Sequence, residues 1–301
     1  MQMVNTALIT GATGFLGSAL AKRLVQDGFK VRALSSGIGK KNTLNISEKI
    51  EWFPISEEGI AAAIPGVTHF FNFAVIYDRP IYSDELINQV NVVLPLKILS
   101  ALEFGNTPVI CVLGDSFYRK YPYTATAQVR YTRSKNILAN SVMALSNRSA
   151  NCYAMLLIEQ LYGPGDRLDK VFPRVIYQLL DNFPRIPLTE GWQSRDFIHI
   201  ADVIDAIMFI ARTKWSGVID VGCGSGISTQ VRSVFKKLKT LTLSSSVLGF
   251  GDLPADQSID NSIADIGWLQ EQGWSCNISL DDGLKDFVNE IRQRYLKGIH
   301  A

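Results

Sequence analysis

The segment "TALITGATGFLGSALAKRLVQDG" (6–28) constrains this chain more than any other. An apolar run stops at Gly11, further glycines follow at Gly14 and Gly17, and a helical pattern then closes on Gly28. Glycines at that spacing permit a tight turn, let backbone approach a pyrophosphate, and let helix and strand pack closely. The helix that starts there presents free N–H groups and a positive dipole end to phosphate. A glycine triplet alone is a weak signal. In strand–turn–helix context it predicts a dinucleotide cradle formed by Gly11, Thr13, Gly14, Phe15, Leu16 and Gly17.

The rhythm set there continues. "KVRALS", "IEWFPI", "THFFNFAV", "PVICVLG" and "CYAMLLI" read as further strands, with amphipathic segments between them. Two of those segments, "INQVNVVLPLKILSALEFG" (87–105) and "YTRSKNILANSVMALSN" (131–147), have helical spacing, and Pro95 should kink the first or sit at its edge. Beyond "YGPGD" (162–166) the pattern loosens, recovering in "RDFIHIADVIDAIMFIAR", in the strand "GVIDVG" and in a polar helix near the C-terminus. The expected fold is α/β, a Rossmann doubly wound parallel sheet with a smaller interleaved C-terminal substrate lobe. The nucleotide-binding part is expected over 1–157 plus 196–222, and the lobe over 158–195 plus 223–301.

With 301 residues, 47% hydrophobic and 19% charged, the chain can bury a substantial core. A net charge of +2 creates no field that calls for nucleic acid or an anionic membrane. Cys111, Cys152, Cys223 and Cys276 lie far apart, as do His69, His199 and His300, so no metal spacing exists and free thiols in a reducing cytosol are expected. No leader-like segment precedes the first strand and no apolar stretch counts as long enough to cross a bilayer, so a cytoplasmic protein is expected. "VIDVGCGSGIS" (218–228) imitates a methyltransferase loop, but no acid ends a following strand and too little chain remains, so a structural turn is expected.

The end of the second strand bears on the cofactor. An Asp or Glu there usually bonds the ribose hydroxyls of NAD and would repel a 2′-phosphate. This chain has Ser35 and Ser36 instead, with Arg32, Lys40 and Lys41 nearby, which favours NADP(H) over NAD(H). Arg32 can equally point outward along its strand.

Tyr131 and Lys135, one helical turn apart, share a helix face near the carboxyl edge of the sheet. Alone the pair could be ordinary exposed helix. Beside a dinucleotide loop, a phenol acidified by a neighbouring ammonium could exchange a proton near neutral pH while Lys135 holds the nicotinamide ribose.

Taken in order, the glycine loop, "NFA" (72–74), Asn91 in "NVVLPLKIL", Tyr131/Lys135, "YGPGD" and "RDFIHIADV" (195–203) resemble the extended short-chain dehydrogenases/reductases of the nucleotide-sugar epimerase/dehydratase superfamily. The resemblance covers nearly the whole chain. "DSFY" and "GPGDRLDKVF" are most similar to CDP-abequose and CDP-paratose synthase-like ketoreductases, NADPH-dependent enzymes of O-antigen biosynthesis. It implies Tyr131 as acid/base with Lys135, an active-site group including Asn91, Asp115 and Ser116, and Phe73 and Ala74 against the cofactor. It also implies a homodimer through the helices carrying Asn91 and Tyr131.

Two departures stand out. The Ser or Thr that usually bonds the substrate carbonyl is replaced by Gly114, leaving Ser116 as substitute or as a plain strand-end serine. The family's late Arg-Pro-Gly-Asp reads "LPADQSID" (253–260), without the arginine. Only Asp115 remains of the dehydratases' Asp-Glu pair, which disfavours dehydration. Arg195 stands at the diphosphate clamp, or else pairs with Asp196 or Asp202. Lys170, Gln160 beside Glu159, and Tyr77 are further substrate candidates, each with a plain surface or packing alternative. The expected activity is NADPH-dependent reduction of a 4-keto-6-deoxy nucleotide sugar. A 4-epimerase, a reductase of a non-nucleotide ketone and a non-catalytic nucleotide sensor are the alternatives.

Overall fold

In a computed structural model the chain is described over residues 4–37, 47–105, 107–121, 128–254 and 261–298. The apolar runs become β1 (Thr6–Thr10), β2 (Lys30–Ser35), β3 (Ile50–Pro54), β4 (His69–Asn72), β5 (Ile110–Ser116) and β6 (Cys152–Ile158). Later come β7 (Gln160–Tyr162), β8 (Arg185–Leu188), β9 (Ser194–His199), β10 (Val218–Cys223), β11 (Ser228–Gln230) and β12 (Val247–Phe250). Seven of these form one parallel sheet in the order β3-β2-β1-β4-β5-β6-β10. The chain steps outward from β1 through β2 to β3, then returns to the other side of β1 as β4. That reversal opens a crevice at the carboxyl ends of β1 and β4, where ligands bind in sheets of this kind.

Helices α1 (Phe15–Gln26), α2 (Glu57–Ala63), α3 (Asp84–Asn88), α4 (Leu94–Leu102) and α5 (Val129–Ser146) belong with this sheet. The apolar faces of α2, α4 and α5 meet it in one core that includes Leu8, Ile60, Phe70, Ile98, Leu113 and Leu138. Serine caps start two of them: Ser56 accepts from the Gly59 N–H and Ser83 from the Leu86 N–H.

Pro95 does not break the helical run around it. A wide π turn, Gln89–Val93, joins α3 to α4, and the Leu94 N–H reaches back to the Gln89 carbonyl. Proline has no N–H to donate and its ring crowds the preceding turn, so widening that turn relieves both problems. The result corrects the expectation that no stretch is long enough to cross a bilayer. Asp84–Leu102 forms a 19-residue helical run that is apolar and long enough by composition alone. Its residues Ile87, Val92, Ile98, Leu99 and Leu102 are buried, as in the core helix of a globular domain.

The chain divides into two compact units. The first holds the described residues up to 121, with 128–157 and 204–221; the second holds 158–203 and the described residues from 222 onward. In the second, β9 lies between β7, parallel, and β11, antiparallel, while β12 pairs in parallel with β8. The segment 196–203, grouped by sequence with the nucleotide-binding part, thus begins inside this small sheet. Helices α6 (Val171–Leu180), α8 (Val231–Thr242) and α10 (Leu280–Leu296) enclose a separate core around Tyr162, Ile176, Phe235 and Phe287. The short α9 (Gly267–Glu271) follows, and α7 (Ile200–Ile210) precedes β10.

The methyltransferase-like glycines have a packing reason. A side chain at Gly222 would stand 2.1 Å from the Asp265 carbonyl oxygen, and one at Gly224 would stand 2.4 Å from the Asp196 carboxylate. Asp196 accepts from the Ser225, Gly226 and Ala264 N–H groups, which fixes that turn.

The first glycine loop divides the same way. A Cβ at Gly17 would come within 2.1 Å of the Gly11 carbonyl oxygen, whereas one at Gly14 would meet only that oxygen, at 3.3 Å. Gly17→Ala is therefore expected to destabilise the fold by about 2–3 kcal/mol, through overpacking. Gly14→Ala should leave the thermal midpoint nearly unchanged; differential scanning calorimetry of the two variants checks the contrast.

Candidate active site

At the switch point, β1 runs into Gly11, whose φ of +73° suits glycine and whose missing side chain leaves room for the Phe73–Ala74 backbone. Thr10 and Asn72 lock the strand ends, with a 2.7 Å side-chain hydrogen bond, and the Ala74 N–H donates back to Thr10. Gly14 is exposed and precedes the first turn of α1, with no protein contact that demands a glycine there. A position that stays glycine without a packing reason, beside unsatisfied helix N–H groups, suits a phosphate-bearing ligand. Thr13, Phe15 and Leu16 are partly exposed around it, and Phe73 and Ala74 border the same crevice. These residues fit the dinucleotide that the sequence predicts.

At the end of β2 the Ser35 hydroxyl donates to the Gly37 carbonyl at 3.1 Å and Ser36 is exposed; neither position carries an acid. Arg32 does not turn toward this end. Its guanidinium bonds Glu51 at 3.2 Å and the carbonyls of Ala63 and Pro65 at 2.9 and 2.6 Å. The outward alternative holds, and Arg32 drops out of the cofactor argument. Lys40 and Lys41 lie outside the described residues.

Tyr131 and Lys135 are not on wet helix. They are 5% and 3% exposed, on the inner face of α5. The Lys135 ammonium donates to the Gly114 carbonyl and lies 5.6 Å from the Tyr131 ring centre. Gly114, Asp115 and Ser116 end β5, and Ser116 lies close enough to the phenol to draw its pKa down. A side chain at Gly114 would press within 2.7 Å of the Phe73 ring, so the usual Ser or Thr does not fit there. Ser116, two residues on, is the hydroxyl nearest in sequence to that position.

The acidified phenol is a correction. Burial pushes Tyr131 well above the ordinary range, Tyr77, Asp115 and Tyr118 push the same way, and Ser116 alone pulls down. Burial also lowers Lys135, which spends its proton donor on a backbone carbonyl. The phenol is therefore a firmly protonated group, suited to giving a proton.

Tyr77 stacks over this phenol, ring centres 5.1 Å apart, and is 43% exposed. Asn91, carried in the π turn, does not reach the phenol. Its amide accepts from the Ile76 N–H and donates to the Ile76 carbonyl and to Ser134, staking the loop after β4 to α5. Asp115 is likewise committed, to Arg119 and to the Ser116 N–H.

Sequence reasoning missed the strongest tether. Arg130, next to Tyr131, bonds Asp78 at 2.7 Å, Asp84 at 2.8 Å, and the Arg79 and Tyr82 carbonyls. Gln128 accepts from the Asp78 N–H. Together they bind the loop carrying Tyr77 to the head of α5. The partners lie some fifty residues apart, so no local spacing betrays them.

Gln160, Lys170 and Arg195 belong to the second unit. Gln160 is half-buried in β7, Lys170 caps the start of α6, and Arg195 is buried in β9 and donates to the Ser194 carbonyl. The acids offered as partners for Arg195 are engaged elsewhere: Asp196 in the turn above, and Asp202 by Cys276 and the Asn277 and Ile278 N–H groups.

Residues 7–222 match the sequence profile described as the NAD dependent epimerase/dehydratase family. The chain belongs to that family. It is 30% identical to the CDP-abequose synthase of Salmonella muenchen over 94% of this chain and 96% of that protein. It is 24% identical to the dTDP-4-dehydro-6-deoxyglucose reductase of Escherichia coli, covering 96% and 98%. Among solved structures, the UDP-glucuronic acid 4-epimerase from Bacillus cereus, in complex with UDP-glucuronic acid and NAD, shares the fold with a TM-score of 0.81 at 20% identity, covering 96% of this chain and 100% of that one. The family membership makes this an NAD(P)-dependent oxidoreductase-type enzyme of nucleotide-sugar chemistry.

The raised Tyr131 phenol has a spectroscopic consequence. Alkaline difference spectra of the wild type and Tyr131→Phe should coincide up to about pH 10, the ordinary tyrosine value, and part only above it. Divergence near neutral pH would mean that the phenol is acidified after all.

Proposed function

We propose that this chain reduces the 4-keto group of a 6-deoxy nucleotide sugar with NADPH. One observation carries the reading: a buried, protonated Tyr131 in contact with Ser116, beside Lys135 and under Tyr77, at the sheet edge that also bears the Gly11–Gly17 loop. In a reduction the phenol gives its proton to the carbonyl oxygen as the alkoxide forms, and Ser116 supports that oxygen. The dinucleotide, when bound, supplies hydride to the carbonyl carbon. Lys135 steadies the group electrostatically. Arg195, with its permanent charge and planar fork, suits the substrate diphosphate, with Lys170 and Gln160 as further contacts.

Support for NADPH is the lack of any acid at Ser35 and Ser36, together with Lys40 and Lys41 in the following segment. The likeness to a CDP-abequose synthase and to a dTDP-4-dehydro-6-deoxyglucose reductase supports a keto sugar as substrate. A 4-epimerase would use the same groups but normally retains NAD, which the absence of an acid at Ser35 argues against. Two copies are expected to associate through the helices carrying Asn91 and Tyr131, where Leu86, Ile137 and Met143 leave apolar surface. A chain that sediments as a monomer at micromolar concentration argues against that.

Purified protein with NADPH should consume at least one of the freshly generated CDP-, dTDP-, UDP- or GDP-4-keto-6-deoxy sugars. Tyr131→Phe should lower kcat by about 10³-fold or more, while NADPH binding stays within about threefold. Turnover of none of the four by the wild type, or full activity of Tyr131→Phe, overturns the reading. Much tighter binding of NAD than of NADP by fluorescence titration overturns its cofactor half alone.

A further inference from the structure

A buried carboxylate stands beside the proton-transfer group with no part in the chemistry so far. The Asp115 side chain has 0% exposure. Its Oδ1 accepts the Ser116 N–H at 2.8 Å and its Oδ2 accepts Arg119 Nε at 2.5 Å. Arg119 follows in the short 3-10 turn Phe117–Lys120, and its Nη2 reaches Asp220 of β10 at 2.5 Å. Both Asp115 oxygens thus receive N–H donors, the pattern of an ionised carboxylate. Burial outweighs the pull of Lys135 and Arg119 and leaves the carboxyl raised above its ordinary range, so those two cations are what oppose its neutralisation.

Lys135 presents the complementary problem. An ammonium 3% exposed is costly unless a counter-charge is near, and among the described residues its hydrogen bond goes to a neutral carbonyl. That carbonyl belongs to Gly114. The next residue, Asp115, brings the nearby negative charge, and the one after, Ser116, brings the hydroxyl on the phenol. Three consecutive residues at the end of β5 therefore serve the ammonium, its charge balance and the phenol.

We propose that Asp115, fixed by Arg119, is a positioning residue for proton transfer, balancing the charge of Lys135 and holding Ser116 against Tyr131. Its role in turnover rests on the reductase reading; its role toward Lys135 does not. The groups that face Lys135 are Asp115 from β5 and Arg119 from the turn after it. Those that face Tyr131 are Tyr77 from the loop after β4, Asp115 and Ser116 from β5, and Tyr118. Asp220 offsets the charge of Arg119, so Asp115 remains available to the lysine.

The test begins with the lysine itself. In protein carrying 13C-labelled lysine, Lys135→Met identifies the Lys135 signal, and its titration is followed by NMR without substrate. Asp115→Asn should lower the Lys135 midpoint by about one pH unit or more. Because Asp115→Asn leaves Arg119 in poor company, the double variant Asp115→Asn/Arg119→Met, which removes both partners of the buried pair, is titrated as well. A Lys135 midpoint that stays at the wild-type value in folded Asp115→Asn, or that is no lower in the double variant than in Arg119→Met alone, overturns the proposal, since Arg119 pulls the lysine down while Asp115 pulls it up.

The second arm is kinetic, with whichever 4-keto sugar the wild type turns over. Asp115→Asn should lower kcat by about 10- to 100-fold with KM changed less than about threefold. Arg119→Lys should keep more of the rate than Arg119→Met, because it retains a charged donor for Asp115. Equal losses in the two Arg119 variants, or a loss seen only in KM, would leave Asp115 a structural residue. If the wild type turns over no keto sugar, the reductase reading fails while the Lys135 titration still decides the charge balance.

Discussion

The turn at Gly11 can form only because nothing occupies the place of a side chain there: a Cβ would stand 2.5 Å from the Phe73 carbonyl carbon and 2.6 Å from the Ala74 N. That contact joins the two strands between which the sheet reverses direction. Thr10 and Asn72 reinforce it from below with a fully buried hydrogen bond. The same exclusion reaches one strand further, since Gly114 is held small by the Phe73 ring. The absence of the family's Ser or Thr at that position thus has the same packing cause as the turn at Gly11: both glycines make room for Phe73.

Charge is arranged around the phenol by depth. Lys135 and Asp115, two ionisable groups of opposite sign, sit out of water beside a phenol that burial pushes toward its neutral form. Of the outer charges, Arg130 and Asp78 are half-buried and Asp84 is exposed, and they anchor backbone rather than chemistry. Each arginine flanking the site bridges two acids, Arg119 joining Asp115 to the distant Asp220 and Arg130 holding Asp78 and Asp84 of the loop region after β4. The site is therefore held by side chains that do not touch it, as precise placement of reacting groups requires.

Much of this was legible in the sequence, and the failures have physical causes. The central strands β1, β4, β5 and β6 announce themselves as short apolar runs because both faces of the sheet are covered there. The strands β7, β8, β11 and β12 have three or four residues each, partly exposed, and such pieces leave no periodic trace. Tyr131 and Lys135 were found by spacing, but the direction of the phenol's shift was not, because burial outweighs the ammonium and no spacing reports burial. The Asp115–Arg119 pair did leave a signal: an acid and a base four residues apart. Asn91 shows the converse. The resemblance singled it out as an active-site residue, and the fold has it gripping the Ile76 backbone and the Ser134 hydroxyl.

The π turn at Gln89–Val93 reaches further than the asparagine it carries. An α-helix advances about 100° per residue, so one residue more in a turn rotates everything before it by that angle relative to everything after. The faces of α3 and α4 are consequently out of phase, although their axes run on as one rod. α3 can look toward the loop and α5 while α4 looks toward the sheet, from a single unbroken segment with a proline near its middle. A one-residue deletion within the turn would bring the two faces back into register, and one of the two surfaces would then lose its partner.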